Sequence, residues 1–193
     1  MGKGGLLKMR VIAGSARSVP LISVEGLETR PTTDRIKETL FNMLQSYLDG
    51  CHFLDLFAGS GQIGIEALSR GAADCVFVEK AKGSCECIRT NLKKTKLEAQ
   101  GILLASDVMS SVNSLDRQGK HFDLIFMDPP YGKGLALDAL AQISRTKIAD
   151  RETLFIVEAS LDEDLTDAQS LGYELVRIKK YKTNQHLFFR LNG

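Results

Sequence analysis

Residues 51–64 read C-H-F-L-D-L-F-A-G-S-G-Q-I-G: an apolar run from Cys51 to Phe57, a turn of small residues from Ala58 to Gly61, then Gln62, Ile63 and Gly64. Beyond the turn, Ile63, Ile65, Ala67 and Leu68 recur at helical spacing, so the stretch reads as strand, glycine turn, helix. The same unit repeats downstream. Cys75–Val78 is followed by a polar helix through Leu92, Ile102–Ala105 by a short helix, and Phe122–Met127 by a helix through Ile143. Leu154–Val157 supplies a fifth strand, and Glu174–Ile178 with Leu187–Leu191 supply two more, close enough in sequence to pair antiparallel. Strands alternating with helices in this way predict an α/β fold built on a doubly wound, mostly parallel seven-stranded sheet.

Working outward from that core, Met9–Ala13 and Leu21–Val24 read as two short strands of a hairpin. Thr32–Leu48 reads as a helix whose start is marked by Pro31, a capping Thr32 or Thr33, and Asp34 in the first turn. The expected organisation is therefore an N-terminal extension over residues 1–50 ahead of a main domain over residues 51–193. With 193 residues, 44% hydrophobic and 25% charged, the chain matches an ordinary globular domain, which excludes disordered, collagen-like and repeat architectures. No apolar run approaches the roughly 18 residues of a membrane span, and no signal sequence is evident, so a cytoplasmic location is expected. Cys51, Cys75, Cys85 and Cys87 form no C-x-x-C pair and His52, His121 and His186 are scattered, so no metal site is expected. The net charge is +1, but both ends are basic. Lys3, Lys8, Arg10 and Arg17 precede the first acid, and Arg177, Lys179, Lys180, Lys182 and Arg190 follow the last. Such cations either face phosphate or blunt exposed strand edges.

Gly59, Gly61 and Gly64 complete a G-x-G-x-x-G between strand and helix, which also fits a dinucleotide site and hence a nicotinamide-dependent dehydrogenase. Asp55 argues otherwise. A carboxylate four residues before Gly59 repels a pyrophosphate and attracts a cation, and S-adenosylmethionine carries an ammonium and a sulfonium but no phosphate. Glu79, ending the next strand, is placed for ribose hydroxyls under either reading. Asp107 is placed for an adenine amine or for a helix N-cap. The second motif, Asp128-Pro129-Pro130-Tyr131, ends a buried apolar strand on the edge where such sheets bind ligands. Two prolines remove two backbone donors and leave carbonyls free. An exocyclic amine can then donate both hydrogens to this turn while Tyr131 stacks on the base. Read alone, D-P-P-Y is a rigid turn, and an amine acceptor does not name its base.

Four segments together resemble the RsmD family of bacterial 16S rRNA guanine-N2 methyltransferases: Arg10–Arg17 (R-V-I-A-G-S-A-R), Arg30–Leu44 (R-P-T-T-D-R-I-K-E-T-L-F-N-M-L), Phe53–Ala72 and Asp128–Tyr131. The resemblance spans nearly the whole chain. It implies a class I, Rossmann-like methyltransferase using S-adenosylmethionine on a guanine of 16S rRNA, within the small ribosomal subunit or its assembly intermediate. Methyl transfer from a sulfonium needs no metal, and a monomer is expected because it fits so large a substrate. Carried over by position, the resemblance places Asp55, Phe57, Ala58, Gly59, Ser60, Gly61, Glu79, Lys80, Asp107 and Val108 around the donor, with Arg30, Thr32 and Thr33 closing over it. Asp128, Pro129, Pro130 and Tyr131 face the target base, and Lys8, Arg10 and Arg17 face RNA. Where the family follows G-x-x-R with a glycine and a basic residue, this chain has Ser18, Val19 and Pro20, which removes one RNA-facing charge. The alternatives are an adenine-N6 DNA methyltransferase, opposed by the lack of room for a DNA-recognition domain, and a noncatalytic RNA-binding assembly factor.

Overall fold

The computed structural model describes residues 9–24 and 34–192; Lys8, Arg30, Thr32 and Thr33 lie outside the described residues. One seven-stranded sheet organises the chain, with strands β1 (His52–Leu56), β2 (Asp74–Val78), β3 (Gly101–Leu104), β4 (Leu124–Met127), β5 (Leu154–Ser160), β6 (Tyr173–Lys180) and β7 (Asn184–Leu191) in the order β3-β2-β1-β4-β5-β7-β6. Strands β1 to β5 pair parallel, and β7 is inserted antiparallel between β5 and β6. All seven expected strands of the sheet are present, within a few residues of their sequence limits.

The apolar runs form strands because both faces of the sheet are buried, so alternate residues enter different cores. Phe53, Leu124, Phe126, Leu154 and Ile156 face one core, with Leu40, Phe41 and Leu44 of α1 (Asp34–Leu48), Ile63 and Ile65 of α2 (Gln62–Ser69) and Ile88 of α3 (Lys82–Thr95). Leu54, Leu56, Ile125, Met127, Phe155 and Val157 face the other, with α4 (Val108–Arg117), α5 (Leu135–Ile143) and a 3-10 turn over Thr166–Leu171. The acidic run at Asp162–Asp167, read in sequence as a helix start, leads into that 3-10 turn, where the Asp164 carboxylate accepts from the Thr166 amide at 2.9 Å.

The N-terminal segment forms the expected hairpin in a shortened form. Residues 9–11 and 19–21 pair antiparallel about a bridge between Arg10 and Pro20, with Val11 N donating to Val19 O at 3.0 Å, Ser18 N to Val11 O at 2.8 Å and Leu21 N to Met9 O at 2.8 Å. Around this pairing the amides are taken by side chains of the helices. The Glu66 carboxylate on α2 accepts from Ile12 N at 2.8 Å and Ala13 N at 3.0 Å, and Ser69 Oγ accepts from Ala16 N at 2.9 Å. Asn91 on α3 accepts from Ile22 N at 2.8 Å and donates to the carbonyls of Ile22 and Ser60, both at 2.9 Å. Glu66 also meets Lys37 Nζ at 3.4 Å and Arg70 Nε at 2.8 Å, all three side chains being buried. Val11, Ala16 and Leu21 share the core of α1, α2 and β1, so this segment and the sheet are packed as one body.

Sequence order and spatial order part company between β1 and β4. The chain runs outward from β1 through β2 to β3, then returns to β4 on the other side of β1. In open α/β sheets ligands bind at the carboxyl edge of such a switch point. The glycine turn follows β1 and D-P-P-Y follows β4, so the fold brings the two motifs to this place.

Candidate active site

On the β1 side, the turn is fixed by its backbone conformation and by bonds to β2, Glu79 and Asn91. Phe57, Gly59 and Gly61 all adopt positive φ, at 60°, 55° and 79°. For Phe57 this conformation costs on the order of 1–2 kcal/mol, strain of the kind that concentrates at binding sites. Ala58 N donates to Val78 O at 3.0 Å and Gly61 N to Ala58 O at 2.8 Å, tying the turn to β2 and to itself. Gly64 allows α2 to lie against the sheet, since a Cβ there would sit 2.3 Å from Phe77 and 2.5 Å from the Cys75 sulfur.

The carboxylates here have structural partners. Asp55, only 2% exposed, accepts from Gly64 N at 2.9 Å at the N-terminus of α2. Removal from water raises its carboxyl to a pKa of about 7, with the Glu79 charge adding to the rise and the Gly64 bond opposing it. Glu79 accepts from Gly59 N at 2.9 Å through one oxygen and from Ala81 N at 2.7 Å through the other. Asp107 is the N-cap of α4, accepting from Ser110 N at 2.9 Å, a bond that lowers its pKa. Val108, which follows Asp107, is buried, and Lys80, which follows Glu79, is exposed. A Cβ on Gly59 would meet nothing within 4 Å, so the turn borders open space. At the first residue of α2, Gln62 Oε1 is buried without a hydrogen-bond partner among the described residues. A buried carboxylate at Asp55, a half-buried one at Glu79, a spare acceptor and backbone open for close approach fit a cationic adenosyl donor better than a pyrophosphate.

On the β4 side the chemistry is reversed. Asp128 follows Met127, the residue in register with Val157, so Asp128 and Glu158 are neighbours at the ends of adjacent strands on the face that also carries Asp55. Loss of water, then the Glu158 charge, then that of Asp55 hold the Asp128 carboxyl well above the ordinary carboxylate range. Pro129 is buried, Pro130 exposed, and Tyr131 is 36% exposed.

Sequence reasoning missed the cluster behind Tyr131. Glu158, 5% exposed, accepts from Asn184 Nδ2 at 2.6 Å and from Tyr131 Oη at 3.4 Å, and lies 3.2 Å from the fully buried His186 Nε2. Tyr181 Oη is 3.1 Å from His186 Nδ1. With the tautomer assigned as Nε2–H, Tyr181 donates to His186, His186 to Glu158, and the chain ends at the carboxylate. The available signal was Glu158 itself, a lone acid at the end of the apolar strand L-F-I-V-E, level with D-P-P-Y.

Of the three cations assigned to RNA contact, Arg17 is exposed, Lys8 lies outside the described residues, and Arg10 is engaged with Asp34 at 2.9 Å. Arg10 thus shares its charge with an acid of α1 through Nε, in a pair that is exposed to solvent. The four thiols are unpaired and buried, and burial pushes Cys51 up to about 12 and Cys75 well above the usual thiol range, which makes them poor nucleophiles. Among the described residues no group of three or more His, Cys, Asp or Glu side chains is arranged to hold a metal, and no helix is long and apolar enough to cross a membrane.

A switch-point site with a glycine turn on one strand and D-P-P-Y on the next defines the Rossmann-like fold of class I methyltransferases. The comparisons with known proteins narrow this. A family model described as "Conserved hypothetical protein 95" matches residues 9–190, and the chain belongs to this, the RsmD family. It is 36% identical over 160 residues to ribosomal RNA small subunit methyltransferase D of Haemophilus influenzae, covering 82% of each chain. It is 34% identical to the protein of that name from Escherichia coli, covering 82% of this chain and 78% of that one. The solved structure of yhhF from Escherichia coli, a candidate methyltransferase, superposes with a TM-score of 0.81 at 30% identity, covering 96% of this chain and 99% of the other. A Thermus hypothetical protein, TTHA0928, superposes at 0.80 with 28% identity, covering 95% and 99%.

Proposed function

We propose that the protein transfers a methyl group from S-adenosylmethionine to the exocyclic N2 amine of a guanine in 16S rRNA. Family membership and relatives named small subunit methyltransferase D make it an rRNA methyltransferase; the observation that carries the chemistry is the meeting of Asp55 and the glycine turn with Asp128 at one switch point. Gly59, Gly61, Gln62 and Asp55 hold the donor, Glu79 its ribose, and Asp107, which keeps one oxygen beyond its cap bond, its adenine amine. When bound, the donor supplies a methyl on sulfonium; the C–N bond forms as the C–S bond breaks, with the electron pair left on sulfur.

The protein's own part is orientation and proton removal. Asp128 and the proline carbonyls accept the two amine hydrogens, which fixes the nitrogen lone pair toward the methyl, and Tyr131 stacks on the ring. Methylation leaves an acidic ammonium. A carboxylate kept above its ordinary range by neighbouring acids is a better acceptor for that proton than an exposed one, and Asp128 takes it. The substrate is the assembled or assembling small subunit and the protein acts as a monomer. Labelled methyl transfer to small subunits lacking the modification, with free 16S rRNA and DNA as comparators and nucleoside analysis of the product, tests the whole reading. N2-methylguanine is expected; N6-methyladenine on DNA, or donor binding without transfer, would reject it.

A further inference from the structure

The rRNA reading leaves open which surface holds the RNA backbone. The family resemblance points to the N-terminal segment, but there Arg10 is paired with Asp34, and the segment is bonded along α2 and α3. The other cluster of cations lies on the edge strand β6 and the turn after it. Because β7 runs antiparallel to both neighbours, β6 points the same way as β5, and its carboxyl end emerges at the edge of the sheet that carries Glu158 and D-P-P-Y.

The register separates the cations of β6 by face. Arg177 pairs with Phe188 and Lys179 with His186, so both lie on the face of Asp55, Asp128 and Glu158. Lys180 pairs with Gln185 on the opposite face, in a groove shared with Asp162, Glu163 and Asp164. Lys182 is exposed at the turn, which is closed by Tyr181 N donating to Asn184 O at 2.8 Å. Among the described residues Arg177, Lys179 and Lys182 make no ion pair, and no acid follows Glu174. The turn is tied to the candidate site through Tyr181, His186 and Glu158, ending at the Tyr131 hydroxyl.

We propose that Arg177, Lys179 and Lys182 form a phosphate-binding surface that leads a single-stranded segment of rRNA along β6 into the D-P-P-Y turn. The inference rests on the rRNA reading given above. Edge lysines placed only to discourage strand pairing need not favour one face, whereas here Arg177 and Lys179 stand on the face of the site and Lys180, on the other face, stands beside acids. A target base must be unstacked before its amine reaches the turn, which requires the flanking backbone to be held beside the site.

The test is the salt dependence of binding to 16S rRNA by the intact protein. Releasing about 0.7 counterions per neutralised phosphate of a single strand, the triple variant Arg177→Gln, Lys179→Gln, Lys182→Gln should bind more weakly, with the slope of log K against log salt shallower by about 2. Donor affinity and melting temperature should stay unchanged, and Lys180→Gln should keep the full slope. A triple variant with the parent slope overturns the surface. Should the triple variant lose donor binding, Lys182→Gln alone in its exposed turn must still reduce the slope by about 0.7, and a full slope there overturns it equally. A parent protein that neither binds nor methylates 16S rRNA would reject the rRNA reading itself, a result distinct from a parent that methylates normally with its RNA held elsewhere.

Discussion

The two halves of the switch point are built on opposite principles. On the β1 side every carboxylate is engaged with a backbone amide: Asp55 with Gly64, Glu79 with Gly59 and Ala81. Binding groups there are fixed before any ligand arrives. On the β4 side the prolines leave no amide to donate, and Asp128 faces the Glu158 carboxylate in the next strand. The first half is a preformed cradle; the second holds acceptors crowded by like charge, an arrangement relieved when an amine brings hydrogens to share. Affinity for the donor and competence for transfer are therefore separable properties of adjacent strands.

The largest effect that could break this division belongs to Asp128. Asp128→Asn keeps the shape and an oxygen acceptor but removes the base, and should lower kcat by about 10²–10⁴ while donor affinity, read by calorimetry, stays within twofold. Equal losses of rate and donor affinity would show that the halves are not independent. Asp55→Asn acts on the other half. The folded carboxyl titrates at about 7 against an ordinary value of 3.8, so the native state holds its proton more tightly than the unfolded chain. The resulting stabilisation is complete below about pH 4 and lost as pH rises to about 7. Asparagine still accepts from Gly64 N without titrating, so the fall of the urea midpoint across that window should flatten in the variant. An unaltered pH dependence would show that Asp55 is not the titrating group.

How much of this was legible in the sequence follows the same division. The glycine turn is contiguous, and its strand, turn and helix are local signals, so the residues of the cradle could be named from spacing. D-P-P-Y was equally visible. Asp107, open between an adenine contact and an N-cap, caps α4 through one oxygen, because the Ser110 amide lies within reach of its own side chain, and the cap does not exclude the adenine contact. What spacing could not show were groups joined by pairing over long separations. Glu158 meets His186 only because β7 inserts antiparallel beside β5, and Arg10 meets Asp34 only because the N-terminal segment packs beside the start of α1. The hairpin is shorter than its two apolar runs for a physical reason: past the Arg10–Pro20 bridge, side-chain acceptors on α2 and α3 take the amides of Ile12, Ala13 and Ile22.

Glycines sharpen the contrast at intermediate size. Gly64→Ala forces a methyl into Phe77 and the Cys75 sulfur and should cost about 1–3 kcal/mol in chemical denaturation, with weaker donor binding as α2 is displaced. Gly132→Ala, just past D-P-P-Y, meets open space and pays only for its positive φ of 69°, about 1 kcal/mol. Equal costs would remove the distinction between a packed cradle and an open acceptor side.

The smallest effect tests how Glu158 acts. If it works by holding Tyr131 through the hydroxyl, Tyr131→Phe and Glu158→Ala remove the same contact, and the double variant should be no slower than the slower single one, with a coupling of about 0.5–1.5 kcal/mol in kcat/KM. Glu158→Gln carries a second signature that Tyr131→Phe lacks. Removing the like charge lowers the Asp128 pKa toward its ordinary range, so the ionised base persists to lower pH and the acid limb of the rate profile moves down. Additive losses with an unmoved acid limb in both variants would reduce Glu158 to a buried structural acid satisfied by Asn184 and His186, and the acceptor side would then owe its properties to D-P-P-Y alone.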